Sequence, residues 1–190
     1  MYQKYQTDAL VLGSRETGEA DRTYALYTKD FGLVRARASS VRSEKSRMRY
    51  ALQNYSLAHV SLVKGKRGWR LAGATARKSA GDDMHGVAAF ARISELTARL
   101  VQGEEKNDYL FAALAEAHEA LMRDVCEAFG TIEIVCVARI LYALGYISNE
   151  ALSSALFTHT AYTGEHLLEA ETMRDKLLYS INKAIAETHL

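Results

Sequence analysis

The chain has 190 residues, of which 48% are hydrophobic and 25% are charged, a composition that is ordinary for a packed globular protein. Its net charge of +1 conceals a division: residues 1–80 hold 16 Lys and Arg against 6 Asp and Glu, whereas residues 81–190 hold 8 against 17. A net charge of +10 beside one of −9 predicts a polyanion-binding part that is carried on a different, helical support. No apolar run approaches the roughly 20 residues that cross a bilayer, which excludes a transmembrane helix.

The first residues and the cysteines indicate the cellular compartment of the protein. Met1–Gln6 lacks the basic patch and apolar stretch of a secretory signal, so we expect a cytoplasmic protein. Cys126 and Cys136 both lie in apolar, helical-looking sequence. We expect them to be buried and reduced, because a zinc site needs four ligands and usually a Cys-x-x-Cys pair.

Five short β-strands are predicted in residues 1–80. Leu10–Leu12 and Tyr24–Thr28 are rich in apolar, aromatic and β-branched residues, and the polar stretch Gly13–Asp21 separates them. After a turn at Lys29–Gly32, Arg35 and Arg37 alternate with small apolar residues, so one face of the third strand carries guanidinium groups.

The fourth and fifth predicted strands form a hairpin with a basic tip. They are Tyr55–Val63 and Trp69–Ala74, joined by the turn Gly65–Gly68 that contains Lys66 and Arg67. Five short strands in about 80 residues are typical of a small barrel. The predicted fold class is therefore α+β, with an all-β domain at 1–80 and an all-α domain at 81–190.

Beyond residues 79–83 the apolar period becomes helical. Leu110, Leu114, Ala117 and Leu121 share one face, and Ile132–Leu144 is nearly all apolar, which predicts a central helix. Gly130 and Thr131 suggest its N-cap, and Gly145 its C-cap. Three further helices are predicted, at Gly86–Val101, Asn149–Phe157 and Ala170–Thr188.

The candidate binding residues are the cations of the first domain. Within residues 35–49 only Glu44 opposes the positive charge, so phosphate is its natural counter-charge, although a solvated surface or docking to the acidic part are alternatives. The candidates are Arg35, Arg37, Arg42, Lys45, Arg47, Arg49, Lys64, Lys66, Arg67 and Arg70.

Aromatic residues lie among these cations at Tyr50, Tyr55 and Trp69. Such rings could stack on the bases of a single strand. Trp69, however, shares strand parity with Leu71, which favours a place in the core, and Arg70 should then point outward.

No motif argues for an enzyme. The sequence contains no phosphate-binding loop, no Gly-x-Ser-x-Gly elbow and no His-Glu-x-x-His. His159–His166 is interpreted as a surface loop, and the pairs Asp82-Asp83 and Glu104-Glu105 as solvated charge in linkers. Neither a cofactor nor a metal is predicted.

The residues nevertheless resemble a known family. The runs TDALVLGSRETGEADR at 7–22 and YTKDFGLVRA at 27–36 look like the N-terminal domain of the bacterial DNA repair protein family RecO. Short blocks at 45–47, 51–53 and 60–62 continue the resemblance in order. Over the helical part it is carried mainly by 129–146, where LYALGY at 141–146 resembles the end of the family's central helix.

The resemblance implies an OB-fold followed by a helical domain, and a recombination mediator that binds single- and double-stranded DNA and anneals complementary strands. The implied partners are RecR, the acidic tail of the single-stranded-DNA-binding protein and, further, RecF and the recombinase. The chain departs from longer members by lacking a four-cysteine zinc module after the central helix. Two alternatives stay open from the residues alone: an RNA-binding OB module, and a protein-binding scaffold that recognises an acidic tail.

Overall fold

The computed structural model describes residues 3–81, 83–123, 128–148 and 155–188. The chain divides into two compact units. The first contains residues 1–80 together with 102–107, and the second contains 81–101 and 108–190.

The first unit is a closed five-stranded barrel. Its strands follow the order β1-β2-β3-β5-β4, with every pair antiparallel except β3 and β5. The predicted OB-fold is therefore confirmed. The strands are β1 (Lys4–Thr17), β2 (Asp21–Thr28), β3 (Gly32–Ala38), β4 (Leu57–Gly65) and β5 (Gly68–Lys78).

Several predicted strand bounds were wrong because the barrel extends strands into polar sequence. β1 is far longer than Leu10–Leu12 and continues through the supposed loop to Thr17, where a positive φ of 77° at Gly18 turns the chain. Ladder hydrogen bonds to β2 sustain this polar half. β5 likewise runs on to Lys78. β4 begins at Leu57, because Tyr55 has a φ of 66° that no strand accommodates.

Alternation along the strands separates the core from the surface. In β3, Val34, Ala36 and Ala38 are buried whereas Arg35 and Arg37 are exposed. Trp69 and Leu71 are each 6% exposed and belong to the barrel core, as predicted, and Arg70 between them is exposed.

A short helix that the sequence did not predict, α1 (Met48–Ala51), lies between β3 and β4. It packs against β5. Ala51 and Leu52 are buried, and Met48 packs against the barrel core. These apolar contacts on one side of the helix fix its orientation on the barrel.

The second unit is helical, as predicted. A 3₁₀ turn at Ala155–Phe157 follows the fourth helix; the rest of the predicted helix Asn149–Phe157 lies outside the described residues. The helices are α2 (Met84–Leu100), α3 (Asp108–Leu121), α4 (Phe129–Ala143), α5 (Gly164–Thr172) and α6 (Arg174–Glu187).

Helix α4 is central, since it contacts α2, α3, α5 and α6. It begins at Phe129, so the predicted N-cap at Thr131 was wrong: this residue lies inside the helix, where its hydroxyl donates to the Glu171 carboxylate. The C-cap at Gly145 is confirmed. With a φ of 81°, Gly145 donates to the Tyr142 carbonyl at 3.0 Å, and Tyr146 donates to the Leu141 carbonyl at 2.8 Å.

Two other helical predictions need correction. The segment predicted as one helix over Ala170–Thr188 is interrupted at Met173, which separates α5 from α6. His166 lies in α5 and not in a loop, because Thr163 caps this helix by accepting a hydrogen bond from the His166 backbone N–H.

Cys136 is fully buried in α4, and burial raises the pKa of its thiol to about 12, which confirms its predicted place in the core. Cys126 lies outside the described residues. In the part of the chain that the structure describes, no helix combines the length and apolar character needed to cross a bilayer.

Candidate nucleic-acid interface

One row of outward-facing side chains runs around the barrel through all five strands. Strand pairing joins Lys4 of β1 to Val63 of β4, Val63 to Arg70 of β5, and Arg70 to Arg37 of β3. The row continues from Arg37 to Thr23 of β2 and from Thr23 to Arg15 at the other end of β1. We call these six residues the belt: Lys4, Val63, Arg70, Arg37, Thr23 and Arg15. Its four cations are all exposed.

Arg35 lies next to the belt, two residues from Arg37 on the same face of β3. Its cross-strand neighbour is Ala25, which in turn pairs with Gly13 of β1. These small residues leave the surface beside the Arg35 guanidinium low and open. A flat surface with charge along its edge can admit an extended polyanion.

Arg37 of the belt is held by an acidic partner. Its Nε and Nη2 atoms donate to Asp21 Oδ2 at 2.9 and 2.6 Å, and Asp21 Oδ1 accepts the Ser40 backbone N–H at 2.7 Å. The Ser40 N–H and then Arg37 lower the pKa of the Asp21 carboxyl. Ser40 has a φ of 51°, so the carboxylate holds a strained turn. Arg37 therefore contributes to the fold, and the Asp21 carboxylate compensates its charge.

Arg42 and Lys64 are also paired. Arg42 Nη1 donates to the Glu19 carbonyl at 3.0 Å and lies 3.2 Å from Glu16 Oε2, which anchors the chain after β3 to the β1–β2 turn. Lys64 Nζ donates to Glu104 Oε2 at 2.7 Å. Both candidates therefore make contacts within the fold, whereas the sequence predicted that they would be available to phosphate.

The tip of the β4–β5 hairpin carries three exposed cations that have no ion pair among the described residues. Lys66 and Arg67 form the turn, and Arg70 follows on the outer face of β5. Together with Val63 and the turn glycines they line a cavity of about 300 Å³. We call Lys66, Arg67 and Arg70 the hairpin surface. The structure thus brings these three predicted residues together.

A second set of exposed cations lies around α1 and is not joined to the belt by strand pairing. Lys45 and Arg47 precede or cap the helix and Arg49 lies in it. The Arg49 guanidinium lies 5.1 Å from the centre of the Tyr50 ring. Tyr50 is 62% exposed. We call Lys45, Arg47, Arg49 and Tyr50 the helix surface.

Sequence reasoning missed the two belt cations of β1, Lys4 and Arg15. The signal was available in the period of two: Arg15 follows Gly13 at that spacing, as Arg37 follows Arg35. It was lost because β1 was predicted to end at Leu12. A β-bulge between Val11 and Gly13 also shifts the register that any simple alternation would predict.

The acidic pairs assigned to linkers have defined contacts. Glu104 accepts a hydrogen bond from Lys64, and this contact lowers the pKa of its carboxyl. A Cβ added to Gly32 would lie 2.2 Å from the Glu105 carbonyl oxygen, so segment 102–107 packs closely on the barrel. Asp83 caps α2 by accepting the His85 N–H at 2.9 Å. Asp82 lies outside the described residues.

The barrel is similar to a known protein family. Residues 1–78 match the family model described as "Recombination protein O N terminal". A segment of 62 residues is 45% identical to the DNA repair protein RecO of Desulfitobacterium hafniense and covers 33% of this chain and 23% of that protein. Over 122 residues the chain is 32% identical to the DNA repair protein RecO of Myxococcus xanthus, covering 59% of this chain and 48% of that protein.

A third relative extends the similarity into the helical unit at lower identity. The DNA repair protein RecO of a Thermoanaerobacter strain is 26% identical over 121 residues, which is 61% of this chain and 48% of that protein. The matched part therefore spans about half the length of these relatives or less.

Proposed function

We propose that this chain, whose first 78 residues match the RecO N-terminal family model, is a DNA-binding recombination mediator that anneals complementary strands in DNA repair and homologous recombination. The observation that carries the proposal is a set of exposed cations on the outer surface of an OB barrel that have no ion pair with an acidic side chain among the described residues. Phosphate groups would supply the negative charge that balances such a surface. The residues are Arg35, Lys45, Arg47, Arg49, Lys66, Arg67 and Arg70.

The position of these residues supports nucleic acid over a small anion. OB-folds bind oligonucleotides on the face of β2 and β3 and with the β1–β2 and β4–β5 loops. Arg35 lies on β3, and Lys66 and Arg67 form the β4–β5 turn. An extended polymer can contact both places at once, and each neutralised phosphate releases counterions that favour binding.

Annealing on this surface needs no catalytic group, which agrees with a protein that is not an enzyme. Two strands repel each other through their phosphates. A protein that neutralises both backbones and leaves the base edges free lowers the barrier to pairing. The described cations are suited to this because their partners would be phosphates, which carry no sequence information.

For the helical unit we propose protein contacts. A cavity of about 530 Å³ in this unit is lined by Tyr146, Tyr179, Lys176 and Lys183, and also by Asp175 and Glu187. Its two carboxylates balance its two ammonium groups, so its charge does not select an acidic ligand. The acidic tail of the single-stranded-DNA-binding protein is proposed as a partner because of the family resemblance, without a place on this unit. RecR, RecF and the recombinase are proposed as further partners, and the cytoplasm near the nucleoid as the place of action.

Strand annealing tests the function directly. Complementary oligonucleotides, one carrying a fluorophore and the other a quencher, should pair faster with the protein than without it, both bare and coated by the single-strand binder. Pairing at the spontaneous rate in both cases would reject the annealing function.

A salt titration tests the electrostatic basis of binding. With about six phosphates neutralised, log affinity for single-stranded DNA should fall against log salt with a slope of about −4. A slope near zero would reject the electrostatic account. Competition by a matched RNA strand tests the RNA-binding alternative, and the absence of any mobility shift at low salt would favour the protein scaffold.

A further inference from the structure

Three aromatic residues lie among the basic residues of the barrel unit, and their exposure distinguishes them. Trp69 is 6% exposed and packs edge to face against Tyr5, with their ring centres 5.5 Å apart. Tyr55 is partly buried at a turn, and its N–H donates to the Val11 carbonyl at 2.7 Å. Tyr50 alone of the three is largely open to solvent, at 62%. A base can therefore reach the face of the Tyr50 ring that the Arg49 guanidinium does not cover, but it cannot reach the ring of Trp69.

The segment that carries Tyr50 is held in place although the ring is exposed. Met48 and Leu52 pack in or against the barrel core, and Ala51 is buried beside them. The chain that leads to the helix is ordered by backbone hydrogen bonds, of which one joins the Arg42 N–H to the Ala20 carbonyl at 3.0 Å. Such anchoring reduces the entropy lost on binding, because the backbone of this segment is already ordered.

The surroundings of Tyr50 match the chemistry of a single-stranded nucleic acid. The Arg49 guanidinium is 5.1 Å from the ring centre, and exposed Lys45 and Arg47 precede it in the chain. Glu44 is the one acidic residue in residues 35–49. A ring flanked by cations offers a stacking surface for a base and counter-charges for the adjacent phosphates. A duplex cannot use the ring, because its bases are already stacked on one another.

We propose that Tyr50 is a stacking site for an unpaired base, and that Lys45, Arg47 and Arg49 bind the phosphates beside it, so that the helix surface recognises single strands specifically. The proposal rests on the proposed function and deepens it. The hairpin surface, whose three residues are cations, would by contrast bind phosphates of single and double strands alike. The two surfaces thus differ in the strand form that they select.

Fluorescence anisotropy with an oligothymidylate of about 16 nucleotides, and with a duplex of the same length, tests this assignment. Tyr50→Ala should lower the affinity for the single strand about fivefold or more and leave the duplex affinity unchanged. Tyr50→Phe keeps the ring and should retain the wild-type preference. An unchanged ratio of single-strand to duplex affinity in Tyr50→Ala would overturn the assignment.

A spectroscopic readout separates stacking from a general loss of binding. In Tyr50→Trp, the added indole should be quenched by the oligothymidylate, whereas the wild-type protein, whose one tryptophan is buried, should show little change. Tight binding without quenching would overturn the stacking site. If the wild-type protein bound neither DNA, the proposed function itself would fail; DNA binding with an unaltered strand preference in Tyr50→Ala would remove only the role of Tyr50.

Discussion

Arginine has opposite roles in the two units of this protein. In the barrel unit, Arg35 and Arg70 project from strands whose alternate residues fill the core, so their guanidinium groups face solvent. In the helical unit, Arg139 of α4 is fully buried. The chemical group is identical, and the difference lies in what satisfies its donors.

The buried arginine is satisfied by backbone. Arg139 Nε donates to the Leu156 carbonyl at 2.8 Å, and its two Nη atoms donate to the carbonyls of Thr160 and Ala161 at 2.6 and 3.1 Å. Its guanidinium also lies 4.6 Å from the centre of the Tyr162 ring. Arg139 therefore ties the chain that follows the 3₁₀ turn onto the central helix. A count of positive charge cannot separate such a residue from a phosphate-binding one.

Arg139→Met gives the largest expected effect and tests the structural half of the comparison. Removing the guanidinium takes a donor from three carbonyls, of which the Ala161 carbonyl also contacts His166 Nδ1, and it leaves a cavity in the core, so the free energy of unfolding should fall by about 3 kcal/mol. Urea denaturation followed by circular dichroism would measure it. The control is Arg99→Met on the exposed side of α2, with an expected change within about 0.5 kcal/mol. A loss below about 1 kcal/mol for Arg139→Met would mean that the carbonyls find other partners.

Replacing the hairpin surface tests the binding half. Lys66→Ala, Arg67→Ala and Arg70→Ala combined should weaken single- and double-stranded DNA about equally, by about tenfold or more at low salt, and reduce the salt slope for single strands by about 2. Stability should change little, because these side chains are exposed. Affinity measured over a range of salt concentrations checks both values. An undiminished affinity would place the DNA elsewhere on the protein.

Glu104→Gln should have the smallest effect. It measures how strongly the ion pair with Glu104 keeps Lys64 from binding phosphate. Without the carboxylate, Lys64 becomes available to phosphate, and the salt slope should steepen by about 0.7, the value for one more neutralised phosphate of a single strand. Glu105→Gln is the matched control because it removes the same charge from the neighbouring residue. Equal effects of the two variants would attribute the change to net charge and not to Lys64.

The same ion pair predicts how the stability of the protein depends on pH in the acid range. Lys64 lowers the pKa of Glu104 in the folded protein from its ordinary value of 4.5, so the ionised carboxylate stabilises the fold at higher pH. That contribution is lost as the pH falls below about 4.5 and through the lower folded value. In Glu104→Gln this part of the acid dependence of unfolding should be absent.

Much of the architecture could be predicted from local pattern. The alternation of Arg35 and Arg37 with alanines gave the exposed face of β3, and the parity of Trp69 with Leu71 gave its place in the core. Gly145 was recognised as a C-cap because few other residues adopt a positive φ at low cost. Each of these depends on neighbours in the chain, which the sequence displays directly.

The candidate site was predictable as a list of cations but not as surfaces. The ion pairs of Arg37 with Asp21 and of Lys64 with Glu104 join residues 16 and 40 positions apart. The belt depends on the register of five strand pairs, including a parallel one. Local sequence patterns show neither which distant residues come together nor the register of the strands. For that reason the sequence could not show which cations are paired and which are not.

The sequence by itself determined the separation of a basic barrel from an acidic helical part and the buried faces of β3 and β5, since both follow from residue order and the period of secondary structure. Only the tertiary structure decided which cations are neutralised, that Lys4 and Arg15 complete the belt, and that Tyr50 is exposed. The physical reason is that a charge acts through the groups that surround it in space. Those groups come from distant strands that barrel closure brings together.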